Sequence, residues 1–224
     1  MNVNSPITDN QLINLILGHC TKGNSIIYIT GTGCSGKTTL SLKMASIIEK
    51  AGKTANCIHM DDFLTNSDVR KAGVKNWVSD GVEFKGRYTS CCKESYYIAA
   101  ADAALFALNN KKTQYIKTKN GNFDLIDSNA DLTLIEGLGI PFISQTPSLK
   151  IFLECDEQIE LQRRIKRDCV RLCKSEEEIV ADSIDRRYQY RKYILPYKSH
   201  CDLVFKSNDD FTFSALSDKI GLIL

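Results

Sequence analysis

The sequence predicts an α/β fold in which helices cover both faces of a mostly parallel β-sheet. Short runs of β-branched and aromatic residues alternate along the chain with segments whose apolar residues recur at helical spacing. This alternation is typical of parallel sheets, because each parallel connection needs a crossover, usually a helix. A glycine-rich turn follows the first strand, and no linker or repeat divides the 224 residues. We therefore expect a single three-layer domain over residues 1–224.

The individual elements follow from the spacing of the apolar residues. The strands are predicted at residues 25–30, 55–60, 132–135, 149–155 and 202–205. The helices are predicted at residues 38–50, 96–108, from 156 through 169, and from 175 to about 193. Gly52 is expected to end the first helix, and Ser175-x-x-Glu178 is a capping box that begins the last one. Asp156 is expected to cap the third helix. In residues 64–95 the apolar residues do not recur at a regular spacing.

Composition and charge argue against several classes of function. The chain has 29 Lys and Arg against 27 Asp and Glu, a net charge of +2, whereas a general nucleic-acid coat needs a surplus of cations. No apolar run approaches the roughly 20 residues that span a bilayer. The first ten residues lack the basic and apolar regions of a secretory signal. We expect a soluble, cytoplasmic protein that binds neither nucleic acid nor membranes.

The chain contains nine cysteines but no Cys-x-x-Cys pair. Their odd number argues against a disulfide framework. The pairs that could suggest a metal site are His19 with Cys20, Cys169 with Cys173, and His200 with Cys201. Structural zinc takes four ligands in paired spacings, which do not recur in this sequence. We interpret the cysteines as reduced thiols that fill small spaces in the core.

The strongest motif is a complete G-x-x-x-x-G-K-[ST] phosphate-binding loop between the first strand and the first helix. It comprises Gly31, Thr32, Gly33, Cys34, Ser35, Gly36, Lys37 and Thr38, and Thr39 follows it. Glycines allow backbone N–H groups to turn inward around an anion, and the helix N-terminus adds its positive end. The loop therefore predicts a nucleotide site, with Lys37 at the β- and γ-phosphates and the Thr38 hydroxyl as a ligand of Mg²⁺.

Acidic residues end two of the predicted strands. Glu136 follows the run 132–135, where a carboxylate beside the phosphate loop could hold Mg²⁺ directly or through water. Asp61 and Asp62 follow the run 55–60, at the edge that faces the ligand crevice of a doubly wound sheet. A carboxylate there could accept the proton of an attacking hydroxyl group, or the two acids could cap a helix or stay solvated.

A basic segment at residues 163–175 carries six cations and a single acid. Arg164, Arg167 and Arg171 share one helical face, from which Arg163 is one step removed. Guanidinium groups stabilise the charge of a transferring phosphoryl group and suit a helical lid that closes over it. The alternative is a solvated basic face. The lid is favoured because the segment follows a phosphate loop, and Arg163 is then expected to tolerate alanine better than Arg164 or Arg167.

On these motifs the chain resembles the phosphoribulokinase and uridine kinase family of P-loop small-molecule kinases. The resemblance is carried by the segments GTGCSGKT, HMDDF, LIEG, IFLECDEQIELQRRIKRD and YILPYKSHCDLVF. It implies the P-loop NTPase fold with a helical lid, and ATP with Mg²⁺ at the phosphate loop. It also implies Asp61 as the catalytic base and a ligand near the metal, with Glu136 as its strand-borne partner. Arg164 and Arg167 would clamp phosphates or the acceptor, beside the catalytic Lys37.

The sequence departs from the family's pattern on the acceptor side. The family's Phe-Asp-His-Pro segment is absent after the Asp-Asp-Phe element, and Cys-Val-Arg-Leu-Cys-Lys replaces its Gly-Arg-rich lid. Acceptor selectivity is therefore expected to lie in an irregular insertion at about residues 64–125. The candidates for contacts with the acceptor are Asp61, Phe63, Tyr88, Asp124 and Arg164.

Together the motifs and the resemblance predict an enzyme that transfers the γ-phosphoryl group of ATP to a hydroxyl group of a small metabolite. A nucleoside such as uridine or cytidine is the favoured acceptor. Other acceptors in the family are nicotinamide riboside, pantothenate and sugar phosphates, and these stay as alternatives. A degenerate kinase that binds partner proteins is the alternative from another class. The sequence leaves open whether the chain forms a homo-oligomer.

Overall fold

A computed structural model describes residues 6–19, 25–79 and 81–216 of the chain. The strands of this part are β1 (Ser25–Gly31), β2 (Ala55–His59), β3 (Val74–Ser79), β4 (Val82–Arg87), β5 (Gln114–Lys117), β6 (Phe123–Ile126), β7 (Leu132–Glu136), β8 (Leu149–Glu154), β9 (Leu203–Ser207) and β10 (Phe213–Ala215). Its α-helices are α1 (Asp9–His19), α2 (Lys37–Lys50), α3 (Ser67–Ala72), α4 (Ile98–Asn109), α5 (Glu157–Leu172) and α6 (Glu176–Tyr193).

The central sheet of the described residues has the strand order β10-β9-β8-β1-β7-β2. Its first five strands in chain order, β1, β2, β7, β8 and β9, are parallel to one another, and β10 is antiparallel to β9. The five strands predicted from the sequence are these five parallel strands. The predicted fold class, an α/β fold with a mostly parallel central sheet flanked by helices, is confirmed.

Alternate residues of the central strands pack into different layers. On β1, Ile27 and Ile29 belong to a core cluster with α1 and α2 on one face of the sheet. Ile26 and Tyr28 belong to a second cluster with α4 on the other face. A strand that is covered on both faces has no polar side to expose, which is why β1 reads as a continuous apolar run.

Several elements were not predicted from the sequence. In α1, Leu12, Leu15 and Ile16 are buried against the core, although the segment had no assigned role. The insertion contains α3 and two separate hairpins, β3 with β4 and β5 with β6. On the second hairpin, Ile116 and Ile126 are buried and most other side chains are exposed. Because so few residues of this hairpin are buried, its sequence does not show the alternation of apolar and polar residues by which strands are predicted.

The helix boundaries largely follow their capping signals. The Ser175 hydroxyl accepts the Glu178 N–H at 3.2 Å, and the Ser175 N–H donates to the Glu178 carboxylate at 2.9 Å, so the predicted capping box is present. Asp156 is the N-cap residue of α5, but its side chain makes no capping hydrogen bond. Its carboxylate instead lies 3.0 Å from the Lys206 ammonium group, which competes for it.

The parallel register brings the ends of distant chain segments to one edge of the sheet. Glu136 is opposite Ile29 on one side and opposite His59 on the other. The phosphate loop after β1 and the acids after β2 and β7 therefore share the carboxyl edge, where open α/β sheets bind ligands. Among the described residues, no helix has the length and apolar character needed to cross a membrane.

Candidate active site

The phosphate loop depends on glycine at two positions. Gly31 has φ of +133°, and a Cβ atom there would lie 2.1 Å from the carbonyl oxygen of Leu153 on β8. Gly36 has φ of +87° and is the left-handed N-cap residue of α2. Any side chain would clash at the first position and strain the backbone at the second. The loop then leads into the N-terminus of α2, whose first N–H groups have no partner within the helix.

Lys37, the first residue of α2, places a cation inside this loop. Its side chain is buried, and its ammonium group donates to the carbonyl oxygen of Thr32 at 2.6 Å. Burial lowers the pKa of Lys37, whereas the negative charge of Glu136 opposes this shift. The strand-end carboxylate therefore favours the charged form of the lysine, which is the form that can bind phosphate.

Glu136 is the centre of a short hydrogen-bonded group. Its Oε1 atom accepts the Thr38 hydroxyl at 2.8 Å and lies 2.7 Å from Nδ1 of His59. Burial raises the pKa of Glu136, but the His59 hydrogen bond and the Lys37 charge outweigh it, so the pKa lies below its ordinary value. The hydrogen bond to Glu136 raises the pKa of His59. Glu136 is thus held ionised. His59 was not singled out from the sequence, because its role appears only once β2 and β7 are paired.

These groups fit a Mg²⁺ ion. The Thr38 hydroxyl and the Glu136 carboxylate place two hard oxygen donors 2.8 Å apart, and Asp61 lines the same cavity. Mg²⁺ in phosphate-transfer sites keeps several waters and takes only one or two protein ligands beside the substrate phosphates. Within the described residues, no three His, Cys, Asp or Glu side chains could hold a metal ion by themselves. Cys20, part of one pair considered above, lies outside those residues.

The two acids after β2 have different surroundings. Both lie in a 3-10 helix (Met60–Phe63), and Asp61 lines the cavity that contains Lys37. Its Oδ2 atom lies 3.8 Å from the Lys119 ammonium group. Asp62 instead accepts the backbone N–H of Lys119 at 2.9 Å and is not among the described residues that line the cavity. This placement supports Asp61, rather than Asp62, as the acid that reaches an acceptor.

The site cavity has a volume of about 1280 Å³ and extends from the phosphate loop to the insertion and α6. It brings together Lys37, Thr38, Asp61 and Glu136, which were predicted from separate motifs. A smaller cavity of about 400 Å³ adjoins it behind the loop. The residues that line both are Gly33, Ser90, Leu138, Arg164 and Arg186.

The predicted acceptor residues are only partly brought to this cavity. Tyr88 lines it, in the loop that follows β4. Phe63 is buried in the core cluster that includes Ile58 and Met60, so it supports the sheet edge instead of facing the cavity. Asp124 is exposed on β6 and is not among the described lining residues. The charged side chains that the described part of the insertion contributes to the wall are all basic, namely Arg70, Lys71, Arg87 and Lys119.

Arg163 makes specific contacts of its own, although it lies one position away from the basic face. Its guanidinium group donates to the Ser207 hydroxyl at 2.9 Å and to the carbonyl oxygen of Asn208. The group also lies 4.0 Å from the centre of the Phe211 ring, a cation–π arrangement. These contacts tie α5 to the β9–β10 turn, so the structure gives no support to the expectation that Arg163 tolerates alanine better than Arg164 or Arg167. Its partners lie some 45 residues away in sequence, which no local pattern could indicate.

The other two arginines have different environments. Arg164 is buried, and its Nε donates to the Glu160 carboxylate at 2.6 Å, one helical turn earlier. A Cβ atom at Gly33 would lie 2.4 Å from the Arg164 guanidinium, so this ion pair packs directly against the phosphate loop. Arg167 pairs with Asp168 at 2.7 Å, and 46% of its side chain is exposed. The basic segment is therefore the C-terminal half of α5 and the turn after it, and not a separate element.

Arg167→Ala is expected to lower kcat about 100-fold, with KM for ATP changed less than about threefold. A guanidinium group that meets charge developing during transfer contributes in the transition state rather than in substrate binding. Arg167→Lys should restore only part of the rate, because lysine keeps the charge but loses the planar fork. Steady-state kinetics measure the effect. Arg191→Ala, which removes an exposed arginine outside the cavity, is the control, and an Arg167→Ala enzyme within about twofold of wild type contradicts the lid.

A buried glutamine on α6 fixes the loop that carries Tyr88. The side-chain carbonyl oxygen of Gln189 accepts two hydrogen bonds, one from the backbone N–H of Thr89 at 3.0 Å and one from the Thr89 hydroxyl at 2.6 Å. The Gln189 amide donates to the carbonyl oxygen of Arg87 at 2.8 Å. The sequence offered no signal for this residue, because one glutamine in a polar helix looks like a solvated side chain. It holds the insertion against α6 at the edge of the cavity.

Gln189→Leu is expected to lower the free energy of unfolding by about 3 kcal/mol, because buried loop groups lose their partner. Urea denaturation measures this change. Gln158→Leu, at an exposed position of α5, is the matched control and should change the unfolding free energy by less than about 0.5 kcal/mol. Equal effects of the two substitutions would contradict the role given to Gln189.

Comparison with known proteins identifies a family. A family model described as Phosphoribulokinase / Uridine kinase matches residues 26–213, which is most of the chain. No curated protein sequence gives a significant match.

Solved structures show a similar fold. Phosphoribulokinase from Rhodobacter spheroides is 20% identical, with 83% of this chain and 71% of that chain covered and a TM-score of 0.56. D-glycerate 3-kinase from Cryptococcus neoformans is 10% identical, with 92% and 97% covered and a TM-score of 0.58. A protein described as a possible uridine kinase from Bacillus stearothermophilus is 17% identical, with 88% and 96% covered and a TM-score of 0.51. At these identities the likeness shows the fold.

Proposed function

The chain belongs to the phosphoribulokinase/uridine kinase family, and from this premise we propose that it transfers the γ-phosphoryl group of ATP to a hydroxyl group of a small metabolite. The observation that carries the proposal is the single cavity in which Lys37, Thr38, Glu136 and Asp61 meet. A phosphate cradle, oxygen ligands for Mg²⁺ and a carboxylate that can accept a proton are the parts that this reaction needs.

The phosphate loop would bind the donor. Its backbone N–H groups and the N-terminus of α2 attract the phosphates, and Lys37 adds a cation at the β- and γ-phosphates. Thr38 and Glu136 would hold Mg²⁺, with Asp61 close by. When bound, Mg²⁺ neutralises charge on the phosphate oxygens.

The base of the nucleotide would lie beside the Arg163–Phe211 pair. Both residues line the cavity, as do Thr39 and Asp209. A purine ring can stack on a guanidinium plane or on an aromatic face, and this pair offers both types of surface. The proposal gives a physical reason for the contacts that hold Arg163 to the β9–β10 turn.

Asp61 would orient the acceptor hydroxyl and accept its proton. Phosphoryl transfer needs little covalent chemistry from the protein, so most of the rate would come from holding the two substrates in line and stabilising charge. Arg167 would meet that charge from α5. Glu136 also lines the cavity, but it already accepts the Thr38 hydroxyl and lies beside His59, so we assign the proton transfer to Asp61.

A nucleoside is the acceptor that the family resemblance favours. Tyr88 is the aromatic side chain of the insertion on which a nucleobase could stack. The structural neighbours are named for substrates as different as glycerate and uridine, so the acceptor has to be argued from this cavity.

The proposal is tested by incubating the full chain with Mg²⁺ and ATP against a panel of nucleosides, vitamins and sugar phosphates while ADP release is measured. We expect one class of acceptor to raise ADP release at least about 100-fold above the rate without acceptor. A nucleotide-responsive binding protein would instead bind ATP and release no additional ADP with any member of the panel. That outcome would replace the kinase proposal.

A further inference from the structure

We infer that the acceptor alcohol carries an oxyanion group, a phosphate monoester or a carboxylate, and that Arg186 binds this group. The inference rests on the proposed function, because it assigns the second substrate of the same cavity. The inference can be tested separately from that function, because binding of an anion at Arg186 can be measured without phosphoryl transfer.

Arg186 is a cation without an acidic partner among the described residues. It lies on α6 in the wall where the large and the small cavities meet. Its Nε atom is inaccessible to solvent, and none of the described residues forms a hydrogen bond with that atom. No ion pair joins the Arg186 guanidinium to an acid among the described residues either. A guanidinium group that is taken out of water needs such a partner, because desolvation penalises its charge.

The charges around Arg186 do not supply this partner. Burial lowers the pKa of Arg186, and the positive charges of Arg164 and Arg87 lower it further. Each of these two arginines pairs with an acid: Arg164 pairs with Glu160, and Arg87 pairs with Asp182, which also pairs with Lys174. The nearby Asp168 raises the pKa of Arg186 only weakly and is already paired with Arg167.

The wall of the large cavity is strongly basic overall. Among the described residues that line it, twelve are Lys or Arg and five are Asp or Glu. The nucleotide phosphates would engage the loop and Lys37, at the end of the cavity formed by α2. The cations of the insertion and Arg186 of α6 line the same cavity, and Arg186 and Ser90 also line the smaller one.

An acceptor with an oxyanion would match this arrangement. Its hydroxyl group would lie at Asp61, and its anionic group would receive the planar donors of Arg186, which suit phosphate and carboxylate oxygens. A neutral nucleoside could fill the space but would leave Arg186 without a counter-charge. The cavity therefore favours an anionic acceptor over the neutral one that the family resemblance alone suggests.

Anion binding is tested with the nucleotide site filled. The full chain is saturated with Mg²⁺ and a non-hydrolysable ATP analogue, and its Tm is measured as inorganic phosphate or acetate is added, against chloride at equal ionic strength. Wild type and Lys192→Gln, which loses an exposed charge on the same helix, should gain Tm with phosphate or acetate. Arg186→Gln should gain less than about a quarter as much. Without any ligand, Arg186→Gln should have a higher Tm than wild type, because a desolvated charge is gone.

Equal gains in all three proteins, or no gain in wild type, would overturn the inference. A gain that occurs only while the nucleotide site is empty would also overturn it, because Arg186 would then serve the nucleotide phosphates. A lower Tm of unliganded Arg186→Gln would assign the residue a packing role. Phosphate and acetate distinguish a site for a phosphate monoester from a site for a carboxylate.

Kinetics on matched acceptors supply the second test. Ribose with ribose 5-phosphate and glycerol with glycerate each differ by the anionic group. We expect a charged member to be the best substrate, and Arg186→Gln to reduce its kcat/KM about 100-fold, mainly through KM. Transfer to a neutral member that Arg186→Gln leaves unchanged would overturn the inference and support the kinase. If no alcohol is phosphorylated, the kinase proposal fails, and the Tm experiment still decides whether Arg186 binds an oxyanion.

Discussion

Lys37→Ala is expected to lower kcat at least about 100-fold, a change of about 2.7 kcal/mol in the barrier. The substitution removes the ammonium group that donates to the carbonyl oxygen of Thr32 inside the phosphate loop and that we propose binds the β- and γ-phosphates. Because the buried ammonium group is itself penalised by desolvation, its removal should leave the fold in place. Steady-state kinetics with ATP and the best acceptor measure the loss, and thermal unfolding checks the fold.

Lys43→Ala is the matched control for this substitution. Lys43 lies on the same helix and pairs with Asp9 at 2.7 Å, outside the cavity. Its replacement should leave kcat within about twofold of wild type, since a surface ion pair contributes only about 1 kcal/mol or less to stability. A Lys37→Ala enzyme that keeps more than about a tenth of the wild-type kcat would contradict the assignment of the loop.

Asp61→Asn is expected to lower kcat about 1000-fold while KM for ATP stays within about threefold. The amide keeps the shape of the side chain but cannot accept the proton of the attacking hydroxyl group. The loss should therefore appear in the chemical step. Pre-steady-state measurement of ADP formation separates that step from product release.

Asp62→Asn tests the choice between the two acids. Asp62 accepts the backbone N–H of Lys119, and asparagine can still accept this hydrogen bond through its side-chain oxygen. The variant should therefore keep kcat within about threefold of wild type. If Asp62→Asn proves more damaging than Asp61→Asn, Asp62 takes the role of the base.

The central parts of the site were predictable because each lies in a local pattern. The phosphate loop, the acids after two strands and the basic stretch of α5 each occupy a few consecutive residues. A parallel sheet then places the carboxyl ends of its strands at one edge, so the meeting of Glu136 with Thr38 follows from the fold class.

The other site residues depend on contacts between distant segments. Arg163 binds the β9–β10 turn, and Gln189 binds a loop 100 residues before it in the chain. Arg186 becomes notable only because the acids near it are paired with other cations. Gln189 and Arg186 do not stand out by type or spacing, and the spacing of Arg163 gave no sign of its contacts. Phe63 shows the converse: it belongs to a recognisable motif, yet packing places it in the core.

The most direct test of the kinase follows the γ-phosphoryl group itself. The full chain is incubated with Mg²⁺, ATP labelled in its γ-phosphate, and the best acceptor from the panel, and the label is then located by mass spectrometry. We expect one labelled phosphoryl group on the acceptor for each ADP formed, and loss of both products in Lys37→Ala. Label that appears only in inorganic phosphate, with the acceptor unmodified, would contradict phosphoryl transfer and make the protein a nucleotide hydrolase.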